Sequence, residues 1–293
     1  MKDMVKTAVT CEDSRLIGAL RKAGADEVIL ALENGCFSAL KPFAADEIIA
    51  LVSAVHLEGM TLSVLMNRLF PQDEIASFQN QMIWLLNEGA DHIIAADPGL
   101  LYHAQAKGVL DRVIFDPETL MTNSRDALFY SQLGVSSVMI SQLLCEEEIL
   151  AIARNVPGCS LCVFGHQLMS VSGRPLLEAY ALRKGTDSLR GRKNLLLKEE
   201  KREEKMPAYE NDYAAMIYSD YIQDSFDQLA SFAENGISRI VLQGVFLPEE
   251  MLLDAAATSQ KVLAGDLNSK EAFRKKYSAM PLSDGYYGIK TIK

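Results

Sequence analysis

The sequence predicts an α/β protein, a TIM-type (β/α)8 parallel barrel, and three observations predict it. One local plan recurs along the chain: an amphipathic helix, a glycine, a few polar residues, then a short apolar run rich in β-branched residues. The runs are continuously apolar, as strands buried on both faces are. Counting the opening run, they number eight, and alternating β and α units of that number point to a closed parallel barrel, with a doubly wound open sheet as the alternative.

The first strand is residues 5–10, Val-Lys-Thr-Ala-Val-Thr. Gly24 then precedes a strand at 28–32, Gly59 one at 61–67, Gly89 one at 93–97 and Gly108 one at 112–116. Gly134 precedes a strand at 137–140, Gly158 one at 161–164 and Gly236 one at 239–243. A glycine in these places stops a helix by taking the left-handed conformation just past its end. Helical patterns fill the gaps. One runs from Asp46 to Val55, with Asp46 at its start, where a negative charge suits the helix dipole. Residues 214–218, Ala-Ala-Met-Ile-Tyr, are a ninth strand candidate.

The plan breaks between 182 and 212. Over 183–205 nine basic residues face five acidic ones, a net +4 in a chain of net −10. We read 183–212 as a charged inserted hairpin or excursion near the last strands of a single barrel domain, 1–293. It is either a solvated loop or a contact for RNA or an acidic ligand. The chain is 49% hydrophobic and 23% charged, enough for one large core and unlike a disordered segment. Its acidity argues against a free-standing nucleic-acid binder. No run approaches a membrane span, and the N-terminus does not read as a signal peptide. Five scattered cysteines, Cys11, Cys36, Cys145, Cys159 and Cys162, suit a reducing cytoplasm.

In a parallel barrel, chemistry collects at the C-terminal strand ends. Thr10, Asn67, Asp97, Asp116, Gln142, His166 and Gln243 fall there. Asp97-Pro98-Gly99 and Asp116-Pro117-Glu118 also read as turn starts, so each aspartate has a structural reading beside the ligand-binding one. The richest stretch is 163–177. It reads as a strand ending in a polar, Gly-rich loop with His166, Ser170, Ser172, Gly173 and Arg174, and restarting as a helix or turn at Pro175. His166 is either a general acid or base or a satisfied structural histidine. Arg174 is either a planar clamp for a carboxylate or phosphate, or half of a salt bridge. No G-x-S-x-G elbow supports a serine nucleophile. Cys159 and Cys162 have C-x-x-C spacing, but strand alternation splays them, and no second pair completes a metal set. No Walker loop, dinucleotide glycine fingerprint or H-E-x-x-H is present.

The stretch 163–180, the helix–glycine–strand series, Asp97-Pro98-Gly99-Leu100, residues 117–123 and residues 239–246 together resemble peptidase family U32, the collagenase-like peptidases, in order over nearly the whole chain. The resemblance implies a TIM-type barrel. The family name implies proteolysis, and several members are implicated in RNA modification. One group is linked to hydroxylation of the wobble uridine of tRNA with prephenate implicated, and another modifies ribosomal RNA. Members with that chemistry carry a cysteine in the loop matching 166–174 and later cysteines that look like iron–sulfur ligands. This chain departs: its loop has Met169, Ser170 and Pro175, and no cysteine follows Cys162. It therefore offers no cysteine-held cluster in the family's manner. It resembles the short forms that accompany a longer cysteine-bearing paralogue.

The resemblance implies a cytoplasmic barrel protein that assists tRNA uridine hydroxylation beside such a paralogue, with tRNA held through the partner. A prephenate-like carboxylate would bind at the barrel mouth, with His166 and Glu118 in catalytic roles and Arg174, Ser172, Asn123, Asp97 and Asn67 binding ligand. No metal is expected. The rivals are a collagenase-like peptidase, for which the sequence shows no convincing nucleophile, activated water or metal, and a non-catalytic scaffold.

Overall fold

The structure, a computed structural model, describes residues 5–156, 158–201 and 203–289. Seven strands run side by side in chain order and in parallel: β1 (Lys6–Thr10), β2 (Glu27–Ala31), β3 (Thr61–Met66), β4 (His92–Ala95), β5 (Val113–Phe115), β6 (Ser137–Ile140) and β7 (Cys159–Ser172). The helices between them are α1 (Ile17–Lys22), α2 (Ala45–Leu57), α3 (Ile75–Asn87), α4 (Pro98–Lys107), α5 (Ser124–Leu133) and α6 (Glu146–Asn155).

After Phe164 the chain leaves the barrel. α7 (Leu176–Lys184), β8 (Leu195–Lys198), β9 (Lys205–Glu210) and β10 (Ala215–Asp224) follow. α8 (Leu229–Glu234) then leads into β11 (Ile237–Leu242), which is parallel to both β7 and β1 and closes the eight-stranded barrel. That closure excludes the open doubly wound sheet. α9 (Glu249–Leu263) and α10 (Asn268–Lys276) complete the helical layer, and the short β12 (Leu282–Ser283) pairs with β10.

Two expectations need correction. The strand at 161–164 does not give way to a loop: β7 continues to Ser172, and the turn shrinks to 173–175. The reason is a new partner. Beyond Phe164 the strand pairs antiparallel with β10, and β9 and β8 extend that sheet outward. The ninth strand candidate, 214–218, belongs to β10 and lies outside the barrel. The antiparallel layer thus reaches from about Gly165 to Asp224, wider than 183–212. Its own apolar cluster includes Phe37, Leu168, Tyr209, Met216, Tyr218 and Val245. Gly165 makes the switch, with φ at +122°, and a Cβ there would stand 2.3 Å from the Gln243 carbonyl oxygen. Only glycine tolerates both conditions.

Inward-facing side chains divide the barrel interior into three levels. The middle is apolar: Ala8, Ile29, Ile94, Ile114, Met139 and Val241 pack together, with Leu65 and Cys162 against them. Each large side chain buried there contributes about 1.5–3 kcal/mol. At the bottom, the N-terminal end of the strands, Glu27 and Arg239 form a buried ion pair. The C-terminal end is polar and open.

Candidate functional site at the barrel mouth

The loops after β3 and β5 bring the amide and the carboxyl groups of the mouth together. Asn67 follows β3 directly. Its Oδ1 accepts from the Phe37 amide at 3.2 Å, and its Nδ2 donates to Ser38 Oγ at 2.9 Å and Glu118 Oε1 at 2.5 Å. Asp116 follows β5, and its Oδ1 accepts from the Glu118 amide at 2.9 Å. That short turn puts Glu118 in the left-handed region, φ +57°, which is unusual for a non-glycine residue. Strained backbone of this kind persists where the surroundings hold it, and it clusters at functional sites.

Asn67, Asp116 and Glu118 line an inner cavity of about 60 Å³ whose floor is the apolar level of Ile29, Leu65, Ile94, Met139 and Val241. Thr10, Ser38, Gln142 and Gln243 supply the rest of its polar wall. Among the described residues, no lysine, arginine or histidine lines it. Two carboxyl groups face a recessed space without a counter-charge, so the proton is favoured over the charge. Burial pushes Asp116 up to about 6; burial and then the neighbouring Asp116 push Glu118 up to about 8.

Asn67, Glu118 and Thr119 also line a larger outer cleft of about 760 Å³, between the mouth and the antiparallel layer. Its walls include Leu120, Leu168, Val171 and Tyr213. Arg68 also lines it, its guanidinium 3.8 Å from the centre of the Tyr213 ring. The guanidinium is held by Glu74 at 2.9 Å and by the Asn34 carbonyl.

Of the seven site residues expected from sequence, the structure brings Asn67 and Glu118 together in the cavity wall. Asp97 caps α4 through the Gly99 amide at 2.6 Å and also accepts from the Phe70 amide at 2.8 Å. Asn123 caps α5, accepting from the Arg125 and Asp126 amides at 3.0 Å. Both follow the ordinary preference for Asp and Asn at helix starts. His166 lies on the outer half of β7, buried, with Nδ1 donating to the Ser219 carbonyl at 2.8 Å. Burial lowers its proton affinity, and it lines neither cavity. Ser172 Oγ accepts from the Arg174 amide at 3.1 Å. Arg174 is exposed, next to Gly173 on the rim of the outer cleft.

Arg68, Ser38 and Tyr213 were missed. Arg68 directly follows a strand-end asparagine, which was a usable signal. Ser38 and Tyr213 sit in loops far away in sequence, and only the fold brings them to the mouth. Asp116 stood in the ring of polar strand ends, but its turn reading masked it.

The cysteines do not gather. Cys159 packs between strands and helices, while Cys162, three residues on and so on the opposite face of β7, faces the barrel interior. Burial pushes both thiols up to about 12. Among the described residues, no group of three or more His, Cys, Asp or Glu side chains is placed to hold a metal ion. A thiolate-held cluster does not fit these residues. No described helix is long and apolar enough to cross a membrane.

The family model for peptidase family U32 matches residues 14–282. A protein of Bacillus subtilis (strain 168) named tRNA hydroxylation protein P2 is 21% identical over 262 residues, which cover 88% of this chain and 85% of that protein. One of Escherichia coli (strain K12) named tRNA hydroxylation protein P is 26% identical over 131 residues, 44% of this chain and 29% of that protein. A solved structure described as a U32 peptidase superposes with a TM-score of 0.54 at 14% identity, covering 83% of this chain and 94% of that one, which supports the barrel fold.

Proposed function

The chain belongs to peptidase family U32, and from that premise we propose that it acts in the hydroxylation of tRNA. The observation that carries the reading is the near full-length match to the B. subtilis tRNA hydroxylation protein, joined to an open, polar barrel mouth. The reading places the protein in the cytoplasm, in keeping with five free cysteines.

A longer, cysteine-bearing paralogue supplies what these residues do not hold, and it carries the main contacts to tRNA. A prephenate-like carboxylate enters through the outer cleft, where the exposed fork of Arg174 takes it on the rim. The inner cavity, walled by two carboxyl groups and no cation, suits an uncharged group instead.

The test is nucleoside mass spectrometry of tRNA from the host with and without this gene. Loss of 5-hydroxyuridine derivatives is expected, restored by the wild-type gene and not by Arg174→Ala. An unchanged profile after removal of both this gene and the longer paralogue overturns the reading.

A second reading, proteolysis, has one observation in its favour. Asp116 and Glu118 form a carboxyl pair in one cavity, an arrangement that can hold one proton and a water between them. Cleavage of gelatin by the purified protein, abolished by Glu118→Gln, would establish it. A pure scaffold is disfavoured by the mouth itself, whose polar strand ends are not locked to one another by salt bridges among the described residues.

A further inference from the structure

We propose that the antiparallel layer is a docking site for a short, extended, acidic segment of another protein, which adds as a further strand along the free edge of β8 and lays its apolar side chains in the groove between α7 and the sheet. The proposal does not rest on the tRNA reading.

The edge supplies the backbone. β8 is the last strand of the layer, and its outer side pairs with no strand among the described residues. Leu196 stands opposite Pro207 of β9. Proline has no N–H, so the two residues do not exchange hydrogen bonds, and Leu196 turns its own N–H and C=O to the free side. Alternation gives Lys198 the same orientation. Open backbone of this kind is a template for one more strand.

The groove beside the edge receives side chains. It encloses about 400 Å³ and is walled by Leu176 and Tyr180 of α7, Leu195 and Leu197 of β8, Ala208 of β9 and Ile217 of β10. Leu196 lines it too, and Leu176, Tyr180 and Leu196 are 47%, 56% and 59% exposed. Apolar side chains gathered so on one face mark an interaction surface.

Charge selects the partner. Residues 183–205 carry a net +4 in a chain of net −10. Lys184 is exposed, with Nζ 5.8 Å from the centre of the Tyr180 ring in the groove wall. Arg192 is exposed, and its amide donates to the carbonyl of Leu189, another lining residue, at 3.3 Å. Neither has a carboxylate partner among the described residues, so both are free for an acidic strand. A second copy of this chain is disfavoured, because pairing β8 with β8 sets Lys198 and two +4 segments against each other. RNA is disfavoured by Glu199, Glu200, Glu203 and Glu204, which follow β8 and repel a phosphate chain running on past it. A segment of a few residues ends short of them.

The experiment is fluorescence anisotropy on the full purified chain. The labelled probe is an eight-residue peptide alternating valine and glutamate, compared with its valine–lysine counterpart. The acidic peptide should bind at least about tenfold more tightly, and added salt should weaken it. Lys184→Glu with Arg192→Glu should remove about tenfold of the affinity and most of the salt dependence. Leu196→Pro deletes the outward N–H and leaves Leu195 and Leu197 paired to β9; it should cost about tenfold. Circular dichroism checks the variants. Two acidic peptides, N-methylated along one edge or the other, test the same bonds on the unaltered chain: one should lose binding and the other keep it.

Equal binding of the acidic and basic peptides overturns the proposal, as does binding indifferent to both N-methylations. Displacement of the acidic peptide by a single-stranded oligoribonucleotide would make the face an RNA site instead. A dimer seen by light scattering and abolished by Leu196→Pro would make it an interface between copies of this chain.

Discussion

At the bottom of the barrel, Glu27 lies under the fork of Arg239, with Nε and Nη2 donating to its two oxygens at 2.8 and 2.6 Å and Ser63 Oγ donating at 2.5 Å. At the mouth, on the far side of the apolar level, Glu118 and Asp116 have an amide, a backbone N–H and no adjacent cation, and only the more distant charge of Arg239 acts on Asp116. The two regions give a buried carboxyl opposite fates. Burial works against the charge on Glu27, but Arg239 and the hydrogen bonds outweigh it and hold that carboxyl below the usual range. Burial goes unopposed by any adjacent cation at Glu118 and raises it to about 8. A buried carboxylate that is fully paired fixes the fold, while one left without a counter-charge is held for a ligand or a proton.

The sharpest way to break the comparison is to make the bottom resemble the mouth. Arg239→Ala leaves Glu27 buried without its counter-charge, and should destabilise the protein by about 3–5 kcal/mol in urea unfolding. Replacing the pair together, Glu27→Leu with Arg239→Met, should recover most of that loss, because apolar residues of similar volume substitute well for a buried ion pair. If the single substitution costs no more than the double, the pair is not holding the barrel base.

A smaller effect, of opposite sign at the two ends, appears in the pH dependence. Glu118 binds its proton more tightly folded than unfolded. Its contribution to stability is therefore full below its ordinary value of 4.5 and is lost as pH rises toward about 8. Asp116 acts in the same direction from 3.8 to about 6. The titratable groups that interact with Glu118 are Asp116, Cys36, Cys162 and Tyr218. Burial raises Cys36 to about 11, Cys162 to about 12 and Tyr218 well above its ordinary value, so all three stay neutral through this window. Glu27 runs the other way: its pairing is present above its ordinary carboxyl range and is lost as pH falls through its lowered folded value. Wild-type urea midpoints should fall between about pH 5 and 8 more steeply than those of Glu118→Gln. Parallel curves for the two proteins would mean that Glu118 ionises normally.

The same contrast explains what could be read from sequence. The barrel was legible because parallel strands buried on both faces leave continuous apolar runs, and a glycine marks the helix ends before them. Asn67 and Glu118 were legible as polar residues after a strand. The extent of β7 was not, because a strand that trades one partner for another at Gly165 carries no local sign of where pairing resumes. Nor was the pairing of Glu27 with Arg239, 212 positions apart. His166 and Arg174 stood out by chemistry alone, and the antiparallel layer carried them away from the inner cavity.

The smallest expected effect on stability belongs to Arg174, and there the comparison separates folding from function. Arg174 is exposed, next to Gly173 of the cleft wall, in a turn fixed by the Ser172 hydroxyl and its own amide, so the packing does not depend on the guanidinium. Arg174→Ala should change unfolding free energy by no more than about 0.5 kcal/mol, as exposed substitutions do. Arg239→Ala removes the same guanidinium from a site where it neutralises a buried charge. An Arg174→Ala protein with a wild-type urea midpoint and no power to restore tRNA hydroxylation would place its role in ligand capture. A lowered midpoint would assign Arg174 to the fold, and the loss of hydroxylation would then say nothing about anion binding at the rim.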